Sequence, residues 1–289
     1  MFATLLGPLP RPPLPDRSAP EVVLDAVLAL QVEHGFEPVT DGGFAPVPGD
    51  VVASWRATAA RTDHLVKAVI TGPWSTASVT PPEAIRATLL ALADAGCRWV
   101  EVHEPMAVGI GVDEAARTRF ADLHRALTLD LGEMHLSLAI TGGSADAAGI
   151  ETILAGAYAS LAVDLIAGPD NWRLVAAAPG DRGIICGAMS TATAADEGPE
   201  VLLWAAGYAA STGGRGAARV GLATAGSLAD LPWDVAARKV RRLGEAARLA
   251  AAPREERLRA IDPRAIDARS AALGRYEPRP ARHPRRPKR

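Results

Sequence analysis

The stretch WVEVHEPM, residues 99–106, decides the predicted fold, because it contains a strand and the point where that strand ends. Its first five residues alternate as in a buried β-strand, and Pro105 breaks the run. An apolar helical pattern at residues 81–95 precedes it and opens with the helix-start signature Thr-Pro-Pro-Glu. A helix, an apolar strand and then His103 and Glu104 indicate one unit of a helix-covered parallel sheet.

The same alternation of short strands and helices extends along nearly the whole chain. The predicted strands are aliphatic or β-branched and bounded by Gly, Pro, Asp or Asn, at residues 2–6, 37–40, 66–71, 98–103, 135–141, 161–166, 183–187 and 218–223. Helical spacing of apolar residues predicts helices at residues 19–34, 81–95, 113–128, 147–157, 169–178, 199–211 and 232–251. The longest insertion predicted to be non-helical covers residues 42–56.

Eight apolar strands alternating with helices predict a parallel sheet covered by helices. Eight units favour closure into a single (β/α)8 barrel of the TIM type over an open doubly wound sheet. An open sheet more often carries G-x-G-x-x-G after its first strand, where this chain has Gly-Pro-Leu-Pro-Arg-Pro. The prediction is one α/β barrel domain, residues 1–274, and a proline-rich, basic, disordered tail, residues 275–289.

The composition favours a globular, cytoplasmic protein. The chain is 48% hydrophobic and 22% charged with a net charge of −2, so no global field attracts nucleic acid or membrane. No apolar run reaches the roughly 20 residues of a membrane span, and the start MFATLLG lacks the features of a signal peptide. Cys97 and Cys186 form no paired motif and are predicted to be reduced, buried thiols. The tail is predicted to aid solubility, with binding of nucleic acid or an acidic partner as the alternative. The oligomeric state stays open.

Polar side chains follow several of the predicted strands, which matters because barrel enzymes carry their chemistry at the carboxyl ends of the strands. Candidate site residues on or after the strands are Arg11, Asp41, Trp74, His103, Glu104, His135, Ser137 and Asp164. Strand alternation also places Trp99, Glu101 and His103 on one face, so that Glu101 is expected to lie beneath His103.

Four segments, in order, resemble the cobalamin-independent methionine synthase family, whose superfamily also contains uroporphyrinogen decarboxylase. Residues 35–42, GFEPVTDG, are similar to the family's G-x-x-x-V-T-D-G-E, and residues 66–74, VKAVITGPW, to V-K-x-x-x-x-G-P. Residues 95–105, AGCRWVEVHEP, resemble A-G-x-x-x-I-Q-I-D-E-P, and residues 163–172, VDLIAGPDNW, its sixth-strand segment. The resemblance covers residues 2–250. It implies a (β/α)8 barrel that transfers a methyl group from a methyltetrahydrofolate to a thiol held on zinc by one His, two Cys and one Glu.

Carried over residue by residue, the zinc ligands of the family are mostly missing. His135 matches the His of the H-x-C motif, Ser137 replaces its Cys, and Asp164 falls on or near the Glu. The second Cys falls at Ala225. A serine hydroxyl stays protonated near neutral pH and alanine offers no ligand, so too few donors remain for tight zinc binding.

The acids that hold the amino group of the family's amino-acid substrate are replaced as well. Gly43 stands at the Glu of D-G-E, and His103 stands at the Asp of I-D-E-P. The resemblance therefore predicts that homocysteine is not the substrate.

The sequence thus predicts a diverged enzyme that transfers a methyl or other one-carbon group to a small molecule without catalytic zinc. The alternatives are a metal-free lyase or decarboxylase of the uroporphyrinogen decarboxylase type, and a non-catalytic ligand-binding barrel. A folate is one candidate donor, and no other cofactor is predicted.

Each candidate residue has a predicted role. His103, His135, Asp164 and Glu104 are the catalytic candidates, and Asp41, Trp74, Arg11 and Ser137 the substrate-binding ones, with Trp74 stacked on a flat ligand and Arg11 holding an anionic group.

Alternatives to these roles stay open. His103, His135 and Asp164 could instead hold another metal, or both histidines could be structural. Glu104 could orient loop groups, and Asp41 could serve only its Asp-Gly-Gly turn. Cys186 is predicted to lie in the core. The remaining histidines are assigned no role: His34, His64, His124 and His283.

Overall fold

Strands and helices alternate in the computed structural model, which describes residues 1–76, 80–195, 197–253 and 255–257. The strands are β1 Phe2–Thr4, β2 Ala68–Thr71, β3 Trp99–His103, β4 His135–Ile140, β5 Ser160–Asp164, β6 Gly183–Met189 and β7 Val220–Thr224. The helices are α1 Pro20–Glu33, α2 Val51–Ala59, α3 Pro82–Asp94, α4 Glu114–Leu127, α5 Ile150–Ile153, α6 Trp172–Ala177, α7 Pro199–Ser211 and α8 Trp233–Ala251. The predicted tail lies outside the described residues.

The seven strands form one parallel sheet in the order β1-β7-β6-β5-β4-β3-β2. The outer strands of the sheet are β1 and β2. The sheet is curled, and residues 36–39 lie between these two strands. There Phe36 forms a single parallel bridge to Ala3, and Val39 forms one to Val66. The fold is therefore an α/β barrel-like structure in which the predicted strand at residues 37–40 is reduced to isolated bridges.

The local sequence explains why no regular eighth strand forms here. Pro38 has no N–H to donate to a neighbouring strand. The backbone of Thr40 is bonded instead to the side chain of Gln31, with the Thr40 N–H donating to Oε1 at 2.9 Å and its carbonyl accepting from Nε2 at 2.8 Å. With these groups engaged elsewhere, the ladder with β2 stops after Val39.

Side chains of the strands alternate between the surrounding helices and the inside of the curled sheet. Outward residues such as Val100, Val102 and Leu138 are fully buried in the main core beneath the helices. Inward residues form a second apolar cluster, of Leu6, Ala139, Ala162, Ile185 and Ala223 with Phe2 and Trp99 packed against it. Because three of its five buried members are alanine, the interior keeps room for the charged side chains of Lys67, just before β2, and of Glu101 on β3.

Two predicted elements differ from the observed ones. The insertion at residues 42–56 was predicted to be non-helical, yet it contains the start of α2, because Asp50 caps that helix by accepting a hydrogen bond from the Ala53 N–H at 2.9 Å. The helix predicted at residues 147–157 is reduced to the single turn α5, since Gly149 adopts a φ of +83° and interrupts it. None of the described helices combines the length and the apolar character that a membrane span requires.

Candidate functional site

The carboxyl edge of the sheet carries His103, which is the last residue of β3. Its Nε2 lies 2.7 Å from Oε1 of Glu101, two residues earlier on the same inward face, as strand alternation predicted. The His103 side chain is 17% exposed, whereas that of Glu101 is completely buried. An imidazole that reaches solvent while one nitrogen is held by a buried carboxylate is an arrangement suited to accepting a proton.

Glu101 has a second partner on its other oxygen. Nζ of Lys67, the residue before β2, lies 2.7 Å from Glu101 Oε2 and also donates to the Leu5 carbonyl at 2.7 Å. Neither side chain of this ion pair is exposed. Burial would raise the pKa of Glu101, but Lys67 and His103 outweigh it and the pKa is lowered, so the carboxyl is ionised.

A cavity of about 390 Å³ opens beside His103. Its lining includes Thr40 and Asp41, which follow the interrupted strand, together with residues of β2 and α2. Val69, an inward residue in the middle of β2, is 38% exposed there. The lining comes from three sides and consists of Gly7, Pro8, Thr40, Asp41, Gly43, Ala45, Val47, Gly49, Asp50, Val51, Ser54, Trp55, Thr58, Val66, Lys67, Ala68, Val69 and His103.

Asp41 lines this cavity and also begins a turn, so both of its predicted roles are compatible with its position. Its Oδ1 accepts a hydrogen bond from the Gly43 N–H at 2.9 Å. Gly42 and Gly43 adopt φ values of +62° and +86°, which favour glycine at both positions. Burial raises the pKa of Asp41, which makes the carboxyl easier to protonate than an exposed aspartate.

Glu104 follows β3 and faces α4 outside the curled sheet, and its carboxylate orients the loop after β2. Its two oxygens accept hydrogen bonds from the Trp74 N–H at 2.8 Å and the Ser75 N–H at 2.7 Å. On the same carboxylate, Oε1 lies 3.1 Å from Nε2 of His124. His124 is buried, and its Nδ1 is 2.5 Å from the Tyr158 hydroxyl. Sequence reasoning gave His124 no role; its signal was the helical spacing with Phe120, on which it stacks.

Asp164 ends β5 but uses its carboxylate to shape the loops around it. It accepts hydrogen bonds from the backbone N–H groups of Gly142, Ile166 and Ala167 at 3.1, 2.8 and 2.8 Å. The side chain of Asn171 fixes the same region through the Asp164 carbonyl at 2.8 Å. With three backbone donors on its two oxygens, Asp164 stabilises the carboxyl-edge loops.

The remaining substrate-binding candidates lie away from the cavity. Trp74 packs edge-on against Phe120, with ring centroids 5.8 Å apart, and Arg119 lies over its ring. Arg11 is exposed and donates to the Asp16 carbonyl. Ser137 is fully buried inside the sheet, paired in register with Glu101, and its hydroxyl has no hydrogen-bond partner among the described residues.

His135 lies at the amino-terminal end of the parallel strands, whereas His103 lies at their carboxyl end. It is the first residue of β4 and pairs in register with Trp99, four residues before His103, a separation of about 13 Å along the strand. Its ring stacks on Trp99, with centroids 3.8 Å apart, and its Nε2 is 2.9 Å from the Ser160 hydroxyl. The structure therefore does not bring His135 together with His103 or Asp164, and the alternative metal set of these three residues cannot surround one ion.

The buried position of His135 should make the stability of the protein depend on pH. Burial lowers the pKa of His135 to about 4, whereas an unfolded histidine titrates near pH 6.5. The stabilisation is therefore fully present above about pH 6.5 and is lost as the pH falls towards 4, because the unfolded chain binds the proton first. Since the ring is partly exposed, we expect a loss of about 2 kcal/mol. Urea unfolding at pH 7 and pH 4 should show this loss in the native chain and not in His135→Phe, and equal losses in both would contradict it.

The zinc site implied by the family resemblance does not fit these residues. His135 lies at the amino edge, Asp164 is occupied by backbone donors at the carboxyl edge, and Ala225 carries no donor. Across the described residues, no group of three or more His, Cys, Asp or Glu side chains is arranged to hold a metal ion. Cys186 points to the Ala205 carbonyl in α7, where burial raises its pKa to about 12, in agreement with its predicted place in the core.

Sequence reasoning missed Lys67 and the contribution of α2 to the cavity. Lys67 had a usable signal, since a lysine inside an apolar strand pattern requires a buried partner of opposite charge, and Glu101 interrupts a neighbouring apolar strand. The signal for α2 was Asp50 followed by a possible helical turn.

Comparison with known proteins shows a relationship at the level of fold. No protein-family model and no curated protein matches the chain. A B12-independent methionine synthase from Shewanella sp. W3-18-1 is similar in structure, with a TM-score of 0.71 and 12% identity, over 90% of this chain and 99% of that one. A putative vitamin-B12 independent methionine synthase from Listeria monocytogenes gives a TM-score of 0.68 at 14% identity, over 86% and 97%.

Barrels with other activities are similar too. An L-ribulose 3-epimerase gives a TM-score of 0.56 at 13% identity, over 91% of this chain and 99% of that one. One fold supports many reactions, so these likenesses establish architecture and not activity. The chain is an α/β barrel-like protein with a distant structural relationship to the B12-independent methionine synthases.

Proposed function

We propose that the protein is an enzyme that transfers a methyl or other one-carbon group to a small molecule, with His103 as the general base. The observation that carries the proposal is the His103 imidazole, which lies at the cavity and is held by the buried Glu101 carboxylate at 2.7 Å. Among the described residues Nδ1 of His103 forms no hydrogen bond, so it is the nitrogen left for a substrate.

Methyl transfer to a thiol, hydroxyl or amine needs such a base. The bond between the methyl carbon and the donor breaks with its electrons going to the donor, and a new bond forms between that carbon and the acceptor atom. The acceptor's proton passes to His103 and is later returned to the donor or to water. Glu101 orients the ring and stabilises the imidazolium that forms. Asp41, whose pKa is raised by burial, also lines the cavity and is the second group there proposed to exchange a proton with the donor or the acceptor.

The lining indicates an acceptor without negative charge. Its one lysine, Lys67, is paired with Glu101, and no arginine occurs among the described lining residues. Val47, Val51 and Trp55 supply apolar surface instead. The alternative, a decarboxylase, would need a cation for the substrate carboxylate, and this cavity offers none that is uncommitted. Trp55, rather than Trp74, is the aromatic ring that could contact a flat donor such as a folate.

A labelled-methyl screen tests the proposal. Isotopically labelled methyltetrahydrofolate and S-adenosylmethionine would each be incubated with a panel of small thiols, phenols and amines, and products followed by mass spectrometry. Label is expected in uncharged acceptors with the native chain, and at a rate at least about a hundredfold lower with His103→Gln. Release of carbon dioxide from a parallel panel of carboxylic acids, without label transfer, would favour the lyase instead. Ligand binding without any turnover would favour a non-catalytic barrel.

A further inference from the structure

One carboxylate inside the sheet joins a cation to the proposed base. Glu101 contacts His103 through Oε1 and Lys67 through Oε2, each at 2.7 Å, so one carboxylate bridges the imidazole and the ammonium. Lys67 also donates to the carbonyl of Leu5, the residue after β1, so its ammonium contacts two oxygens inside the sheet.

We propose that Lys67 is a positioning residue for His103: its buried positive charge compensates that of Glu101 and so keeps the Glu101–His103 pair free of an additional proton. This inference rests on the proposed function, since it explains how His103 is available to receive a proton from the acceptor. Lys67 itself does not react, because its amine is completely buried and committed to two acceptors.

The net charge of Lys67, Glu101 and His103 explains why removing Lys67 would favour uptake of a proton by the Glu101–His103 pair. With Lys67 protonated, Glu101 ionised and His103 neutral, the interior carries no net charge. Without Lys67 the same pair would carry a net negative charge on a completely buried carboxylate, which is costly, and it would take up a proton more readily. That proton would be shared between Glu101 and His103, because their side chains lie 2.7 Å apart. The base would then be less available to receive a proton from the acceptor.

The other groups that face the pair do not replace Lys67. Asp41, from the segment after residue 40, is a further acid and would strengthen the uptake of a proton. From β4 the neighbour of Glu101 is Ser137, a neutral hydroxyl. Lys67 is thus the single cation in contact with Glu101 among the described residues apart from a protonated His103.

Histidine-selective NMR tests this without a substrate, because the chain has only six histidines. The His103 signals are assigned with His103→Gln and titrated in the native chain, in Lys67→Met and in Lys67→Gln, which keeps a hydrogen-bond donor and supports folding. In both variants the midpoint of the His103 titration is expected to move up by about one pH unit or more, the size expected for removing a nearby buried charge. In Lys67→Arg, which retains the charge, the midpoint should stay near the native value.

Equal midpoints in the native chain and both neutral variants would overturn the inference and leave Lys67 with a structural role. An upward shift shared by Lys67→Arg would also overturn it, since geometry rather than charge would then be responsible. The two proposals fail separately: a shifted midpoint together with methyl transfer at a near-native rate in His103→Gln would reject the proposed function and retain the charge relationship.

Discussion

His103→Gln is expected to lower kcat/KM for methyl transfer by about 10²- to 10⁴-fold, the range that a positioned general base contributes. Glutamine fills similar space and can still donate a hydrogen bond to Glu101, but it cannot accept a proton at neutral pH. The loss should therefore appear mainly in kcat, with KM changed little, because the cavity walls from α2 and β2 remain in place. Steady-state kinetics with the acceptor found in the screen measures it.

A matched control is His135→Gln, which makes the same change at the other edge of the sheet. Because His135 stacks on Trp99 there, well away from the cavity, we expect kcat/KM near neutral pH to stay within about twofold of the native value. Loss of activity in His135→Gln with His103→Gln unaffected would reverse the assignment of the two histidines.

Glu104→Ala is expected to lower the free energy of unfolding by about 3–5 kcal/mol, because several buried groups lose their partner at once. The N–H groups of Trp74 and Ser75 would lack an acceptor, and His124 would lose the neighbouring carboxylate. The carboxylate also fills the space beside Gly72, where a Cβ would collide with Oε1. Denaturant unfolding followed by fluorescence measures the change.

Two variants calibrate that result. Glu104→Gln keeps one carbonyl acceptor and should lose about half as much stability. Glu133→Ala makes the same deletion at an exposed position and should change the free energy of unfolding by no more than about 0.5 kcal/mol. If Glu104→Ala proved as mild as Glu133→Ala, the role of Glu104 in holding the loop after β2 would be refuted.

The acidic residues of this site are arranged differently from those in the motif that residues 95–105 resemble. Where the family motif has Gln and Asp, this chain has Glu101 and His103, so a carboxylate supports an imidazole inside the sheet. Glu104 lies on the opposite face from His103 and accepts a hydrogen bond from the loop after β2. The end of β3 and the residue after it thus supply both the proposed base and a support for the neighbouring loop, because successive residues face opposite sides of the sheet.

Several features were determined by the sequence alone. The alternation of short apolar strands with helices predicted the parallel, helix-covered sheet, since strands buried on both faces must be apolar throughout. The alternation within WVEVH predicted Glu101 beneath His103, because side chains two apart in a strand share a face. These inferences succeeded since each depends on contacts within one element or between sequential ones.

His135 shows where the sequence was informative but was outweighed. Its match to the His of H-x-C grouped it with His103, although its position as the first residue of its strand already indicates the amino edge of a parallel sheet. A residue type in a motif carries no information on which end of the strand it occupies, whereas strand direction does.

Only the tertiary structure decided the cavity and the partner of Glu101. Whether residues 37–40 complete the barrel depends on Gln31, a helix residue whose side chain binds the Thr40 backbone across space. Likewise Lys67 meets Glu101 because β2 and β3 are neighbours in one particular register, in which Ala68 pairs with Val100. Such contacts depend on how separate elements pack, and local sequence preferences do not specify distances between side chains that are far apart along the chain.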